Sequence, residues 1–84
     1  MYTIVFKKKA QKELDDIPKK YYTALRDTID GLAENPRPAG CKKLIGADNH
    51  YRIRVGIYRI LYTIEDKVLT IVIVKVAHRK DAYS

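Results

Sequence analysis

The sequence predicts an α+β fold. An N-terminal strand leads into an αα-hairpin, and a three-stranded antiparallel meander follows, all in one mainly antiparallel sheet. Three observations predict it. Apolar residues recur at helical spacing between Ala10 and Leu32. From Tyr51 onward the period changes to two. A nearly continuous run of Val and Ile then extends from Val68 to Val76.

Each element has its own signal. The opening "YTIVF", Tyr2 to Phe6, is β-branched and aromatic, as strands prefer. In "KKKAQKELDDI", Ala10, Leu14 and Ile17 fall at intervals of four and three, one face of a helix. Pro18 interrupts the pattern, and Tyr22, Leu25, Ile29 and Leu32 form a second stripe. Pro18 is therefore expected in the joint of the hairpin. "ENPRPAG" carries two prolines and a glycine and predicts a loop. Tyr51-Arg52-Ile53-Arg54-Val55 alternates apolar and basic residues, and a new run starts at Tyr58. The intervening Gly56-Ile57, with Gly first, matches a two-residue type II′ turn. A second turn is expected around Asp66-Lys67. The strand from Val68 to Val76 is so apolar that it is expected to be central and covered on both faces.

The bounds are simple. A chain of 84 residues predicts one domain, 1–84. Cys41 is the sole cysteine, which leaves no intramolecular disulfide and no cysteine cluster for a metal. No apolar run approaches the ~18 residues of a membrane span. A cytoplasmic protein with no cofactor and no membrane partner is expected. The formal charge of +7 suits nucleic acid or an acidic protein partner.

The hairpin focuses that charge. If Gly56 and Ile57 are the loop, Val55 pairs with Tyr58, Arg54 lies opposite Arg59, and Arg52 opposite Leu61. Opposed residues share a face, with Cβ atoms roughly 4.5–5.5 Å apart. The three arginines thus converge on one patch, while Tyr51, Ile53, Val55, Tyr58, Ile60, Tyr62 and Ile64 take the other face. Like charges opposed across strands destabilise a sheet. A patch built for phosphate explains the cluster; a solvated polar face is the plainer alternative. The segment "VAHRKDAY" adds His78, which exchanges protons near neutral pH, Arg79, which suits phosphate, and Tyr83, which can stack on a base. His50 stands beside the patch at the strand entrance. Lys7, Lys8, Lys9, Lys12, Lys19 and Lys20 are solvated helix positions or sequence-independent phosphate contacts.

Over nearly its whole length the chain resembles the RelE branch of the RelE/ParE toxin superfamily. The resemblance rests on "NPRPAGCKKLIGADNHYRIRVGIYRILYTIED" and on "VIVKVAHRKDAY". It implies a type II toxin held in check by an acidic, RelB-like antitoxin. It implies an endoribonuclease that cuts mRNA in the ribosomal A site, with ribosome, rRNA and mRNA as partners. The implied reaction uses no metal: the ribose 2′-hydroxyl attacks the adjacent phosphodiester and leaves a 2′,3′-cyclic phosphate and a 5′-hydroxyl. The family's basic site positions fall on Arg52, Arg54, Arg59 and Arg79, and its terminal tyrosine on Tyr83. The best-known members carry lysine at the first two positions. Arginine holds its proton too tightly to serve easily as a base. Either the patch acts by charge alone, or His78 or Tyr83 moves the protons. A ParE-like gyrase inhibitor, sharing the fold without a nuclease site, is the alternative.

Overall fold

A computed structural model describes residues 1–46 and 48–78. Helix α1 spans Lys8–Asp15 and helix α2 spans Lys19–Gly31. Ala10 and Leu14, one turn apart, are the buried residues of α1; Leu25 and Ile29 are those of α2. Pro18 occupies the N-cap of α2, where its missing N–H removes no intrahelical bond. Ile17 falls in the joint rather than in α1, and it still packs partly against the core.

Strand β1 is Thr3–Phe6, β2 Lys42–Lys43, β3 His50–Val55, β4 Tyr58–Glu65 and β5 Thr70–His78. They form one five-stranded sheet in the order β1-β5-β4-β3-β2. β1 runs parallel to β5, and the other neighbours are antiparallel. This is the expected α+β architecture with one strand added: the two-residue β2 pairs Lys42 with Arg52 and Lys43 with Tyr51. Gly56 has φ +59°, the left-handed conformation required at the first loop residue of the β3–β4 turn. The next connection is a 3-10 turn over Asp66–Val68, closed by Leu69 at φ +48°. Val68 is spent in that turn, so β5 begins at Thr70 rather than Val68.

Both helices lie on one side of the sheet. Their buried residues meet Tyr51, Ile53, Tyr58, Ile60, Tyr62, Ile64, Ile71, Ile73 and Val76 in a single core. β5 is central, as expected, but it is not covered on both faces. Val72 and Val74 remain half-exposed on the side without helices. A chain this short provides one helical layer, and β-branched residues fit a half-buried pleated surface.

The pairing of β4 with β5 contains a bulge. Leu61 faces Lys75 while Tyr62 faces Ile73, so Val74 is one residue too many for the ladder. The extra residue reverses the alternation beyond it. Ile71 and Ile73 point into the core; after the bulge Val76 does, and Lys75 does not. Glu13 on α1 accepts the Val76 N–H at 3.1 Å, which satisfies a ladder donor beside the irregularity.

The far end of the β3–β4 hairpin is tied to the loop after α2. Tyr2 donates to Asp66 Oδ1 at 2.6 Å, and Arg37 donates to Asp66 Oδ2 at 3.0 Å. Arg37 also donates to the Tyr51 hydroxyl at 3.2 Å and lies 5.3 Å from that ring's centroid. Tyr62 donates to the Pro36 carbonyl at 2.8 Å, and burial pushes its phenol pKa well above the ordinary value. The Arg37 bond, then the Tyr2 bond, hold the Asp66 carboxyl below its usual range. A carboxylate with a depressed folded pKa stabilises the fold above its unfolded value and loses that contribution as pH falls through the folded one. Asp66→Asn is therefore expected to flatten the fall in Tm from about pH 4 downward. Thermal melts of both proteins from pH 2 to 7 check this; parallel acid limbs would remove Asp66 from the acid response.

Candidate functional site

The sheet face without helices carries the candidate site. The observed register pairs Arg54 with Arg59, Arg52 with Leu61, and Val55 with Tyr58, as the two-residue turn predicts. Arg52, Arg54 and Arg59 therefore share one face, across from the core. Arg54 is exposed and Arg52 half-buried. Arg59 is only 8% exposed, the one charged residue among the buried side chains of the described residues. A guanidinium removed from bulk water interacts more strongly with an anion than an exposed one does.

Two further cations join the face, and sequence reasoning missed both. Lys42 pairs with Arg52 from the edge strand β2. Lys75 pairs with Leu61 and so lies on the open side, one row along from the Arg59–Ala77 pair. Lys42 carries no strand signal of its own, since lysine is depleted in strands. Lys75 was hidden by the bulge, because strict alternation from Ile73 would have put it in the core.

The same bulge moves His78 away. His78 pairs with Tyr58, whose side chain faces the helices, and the two rings meet edge-on at 5.8 Å. The structure thus places His78 on the side of the sheet opposite the arginines and does not bring it to the patch. His50 does share their face. It pairs with Thr63, and its Nδ1–H donates to the Asp48 carbonyl at 2.7 Å, which orients the ring toward its own loop. Arg79 and Tyr83 lie outside the described residues. Lys7, Lys8, Lys9, Lys12, Lys19 and Lys20 are exposed on or beside the helices, in the layer away from the arginines.

A shallow cleft lined by Asn49, Glu65, Asp66, Lys67 and Val68 sits at the opposite end of the hairpin. Its carboxylates suit it poorly to phosphate. Among the described residues, no group of three or more His, Cys, Asp and Glu side chains is placed to hold a metal ion. Among them, too, no helix is long and apolar enough to cross a membrane.

Two helices on one side of a five-stranded sheet, with a cationic face on the other, define a small α+β domain with an open basic platform. Residues 4–83 match the family described as the ParE toxin of type II toxin–antitoxin system, parDE, and the chain belongs to that family. Its relatives include toxin RelG of Mycobacterium tuberculosis, 32% identical over 83 residues that span 98% of this chain and 95% of that one. Toxin RelE3 of Methanocaldococcus jannaschii is 34% identical over 84 residues, spanning 95% of this chain and 93% of that one. Among solved structures, the archaeal RelE–RelB complex from Pyrococcus horikoshii contains a chain with the same fold. It superposes with a TM-score of 0.83 at 31% identity, covering 96% of this chain and 98% of that one.

Proposed function

We propose that this toxin is a ribosome-dependent endoribonuclease that cleaves mRNA in the A site. The observation that carries the proposal is the direct opposition of Arg54 and Arg59, with Arg52 beside them on the same open face. Opposed like charges cost stability, so their placement calls for an anionic ligand. The RelE and RelG names of its relatives support the same reading.

In the proposed reaction the 2′ oxygen attacks the neighbouring phosphorus, and the P–O5′ bond breaks. The 2′ proton is lost and the 5′ oxygen gains one. The products are a 2′,3′-cyclic phosphate and a 5′-hydroxyl. Extra negative charge builds on the phosphoryl oxygens in the transition state, and preorganised cations lower that barrier. Arg52, Arg54 and Arg59 supply this charge with no metal ion. From the family resemblance, Arg79 adds to it and Tyr83 stacks on the base beside the cut. The lysines of the helical layer grip rRNA phosphates in salt-sensitive contacts.

An acidic, RelB-like antitoxin is the proposed partner, by analogy with the RelE–RelB complex of the Pyrococcus relative. The formal charge of +7 speeds its capture. The proposed compartment is the cytoplasm, where ribosomes and message meet.

The family's ParE description favours a second reading, inhibition of DNA gyrase through protein contacts. One paired experiment separates the two. Purified toxin is added to a translating extract and message ends are mapped; gyrase supercoiling is assayed beside it. New ends carrying 2′,3′-cyclic phosphate within translated codons, with supercoiling intact, are expected. Intact message together with blocked supercoiling overturns the nuclease reading in favour of the second.

A further inference from the structure

A face built mainly of arginines is well supplied with charge and poorly supplied with exchangeable protons. Guanidinium groups hold their protons too tightly to deliver one to a leaving group. The reaction still needs a proton at the 5′ oxygen, since an alkoxide is a poor leaving group. His78 lies on the other side of the sheet, edge-on to Tyr58. The bulge at Val74 exchanges it for a lysine. One inserted residue in β5 turns Val76 into the core and Lys75 onto the open face, opposite Leu61.

Lys75 is well placed there. It sits on the central part of the sheet, on the strand next to Arg59, and diagonal neighbours of this kind are roughly 7–8 Å apart. A half-buried lysine spans that distance easily. Lys42 shares the face but belongs to the edge strand, with β3 between it and β4. The Glu13 carboxylate secures the arrangement by accepting the Val76 N–H next to Lys75.

We propose that Lys75 is a catalytic residue: its ammonium protonates the departing 5′ oxygen. The inference rests on the nuclease reading above. In this step the P–O5′ bonding pair goes to the 5′ oxygen, which takes a proton from Lys75 Nζ. The amine left behind regains a proton from water, and the 2′ proton passes to solvent. The net proton count on the enzyme is unchanged over the cycle.

The test is single-turnover cleavage on programmed ribosomes, with an ordinary message and with one carrying sulfur in place of the scissile 5′ oxygen. A thiol has a pKa of about 8.5, so a thiolate leaves without needing a proton. Lys75→Met and Lys75→Gln keep most of the side-chain stem and are checked for folding by circular dichroism. Both are expected to slow cleavage of the ordinary message by about 10²-fold or more, the scale of lost acid catalysis. Both are expected to cleave the sulfur message at close to the wild-type rate. Lys75→Arg restores charge without an easily released proton and is expected to stay slow. An equal loss on both messages, full activity in Lys75→Arg, or wild-type rates in Lys75→Met each overturns the acid role while leaving the nuclease reading standing. No cleavage of either message by wild-type toxin overturns both.

Discussion

On the proposed nuclease reading, Arg59→Ala is expected to lower single-turnover cleavage on programmed ribosomes by at least about 10²-fold, the loss that follows removal of one preorganised donor to a developing oxyanion. Three features lead to the expectation that Arg59 is the most sensitive position on the face. It is central, because β4 lies between β3 and β5 and Arg59 is flanked by Arg54 and Ala77. It is buried to 8% exposure, so little solvent intervenes between its charge and a docked phosphate. It also sits on the strand that both neighbours register against, so its side chain has little freedom to relocate. Removing it relieves the charge opposition with Arg54, which partly offsets the packing lost with its stem. Arg59→Met keeps much of that stem and is the control for the fold. Arg59→Lys restores a point charge but not the planar fork, and an intermediate rate is expected. A folded Arg59→Ala protein that cleaves at the wild-type rate would take Arg59 out of the site.

The different fates of Arg59 and His78 show what a one-dimensional reading captures. The β3–β4 hairpin was legible because its turn has two residues and begins with glycine. That geometry allows one register, and Arg52, Arg54 and Arg59 follow from it by counting. No comparable signal marks the β4–β5 pairing. Ile71, Val72, Ile73 and Val74 are all apolar, so the sequence carries no alternation in which a skipped beat could be seen. The bulge therefore has no signature, and His78 beyond it was expected beside the arginines but lies on the core side. The sheet sides of Lys75 and His78 were missed for the same reason. β2 was missed on other grounds: Lys42-Lys43 forms a strand only because β3 offers an edge to pair with. The expectation that β5 is covered on both faces failed for want of a second helical layer. A Val-rich strand reports burial of its neighbourhood, and here Val72 and Val74 meet a sheet face that stays partly open.

Stability of the domain bears on the site through α1, and Leu14→Ala is expected to show it. Truncating a fully buried leucine costs about 2–5 kcal/mol, depending on how far the surroundings collapse. Leu14 is 0% exposed and, with Ala10, supplies the buried side chains of this eight-residue helix. A domain of this size has roughly 4–13 kcal/mol in total, at ~0.05–0.15 kcal/mol per residue. The variant is therefore expected to lose a large share of its stability. In urea, with m near 1–3 kcal/mol/M, the midpoint should fall by about 0.7–5 M. Leu14→Met conserves volume and is expected to cost less than about 1.5 kcal/mol. The neighbour of Leu14 gives this prediction its functional side. Glu13 accepts the Val76 N–H from the same turn of α1, so loosening the helix withdraws an acceptor from the bulged segment of β5. Amide exchange at Val76 and Ala77 should then accelerate more in Leu14→Ala than exchange in the β3–β4 hairpin, which has its own closed ladder. Uniform acceleration across the sheet would mean that α1 supports the domain as a whole. Acceleration confined to the end of β5 would mean that α1 acts chiefly as the brace that keeps Lys75 on the open face.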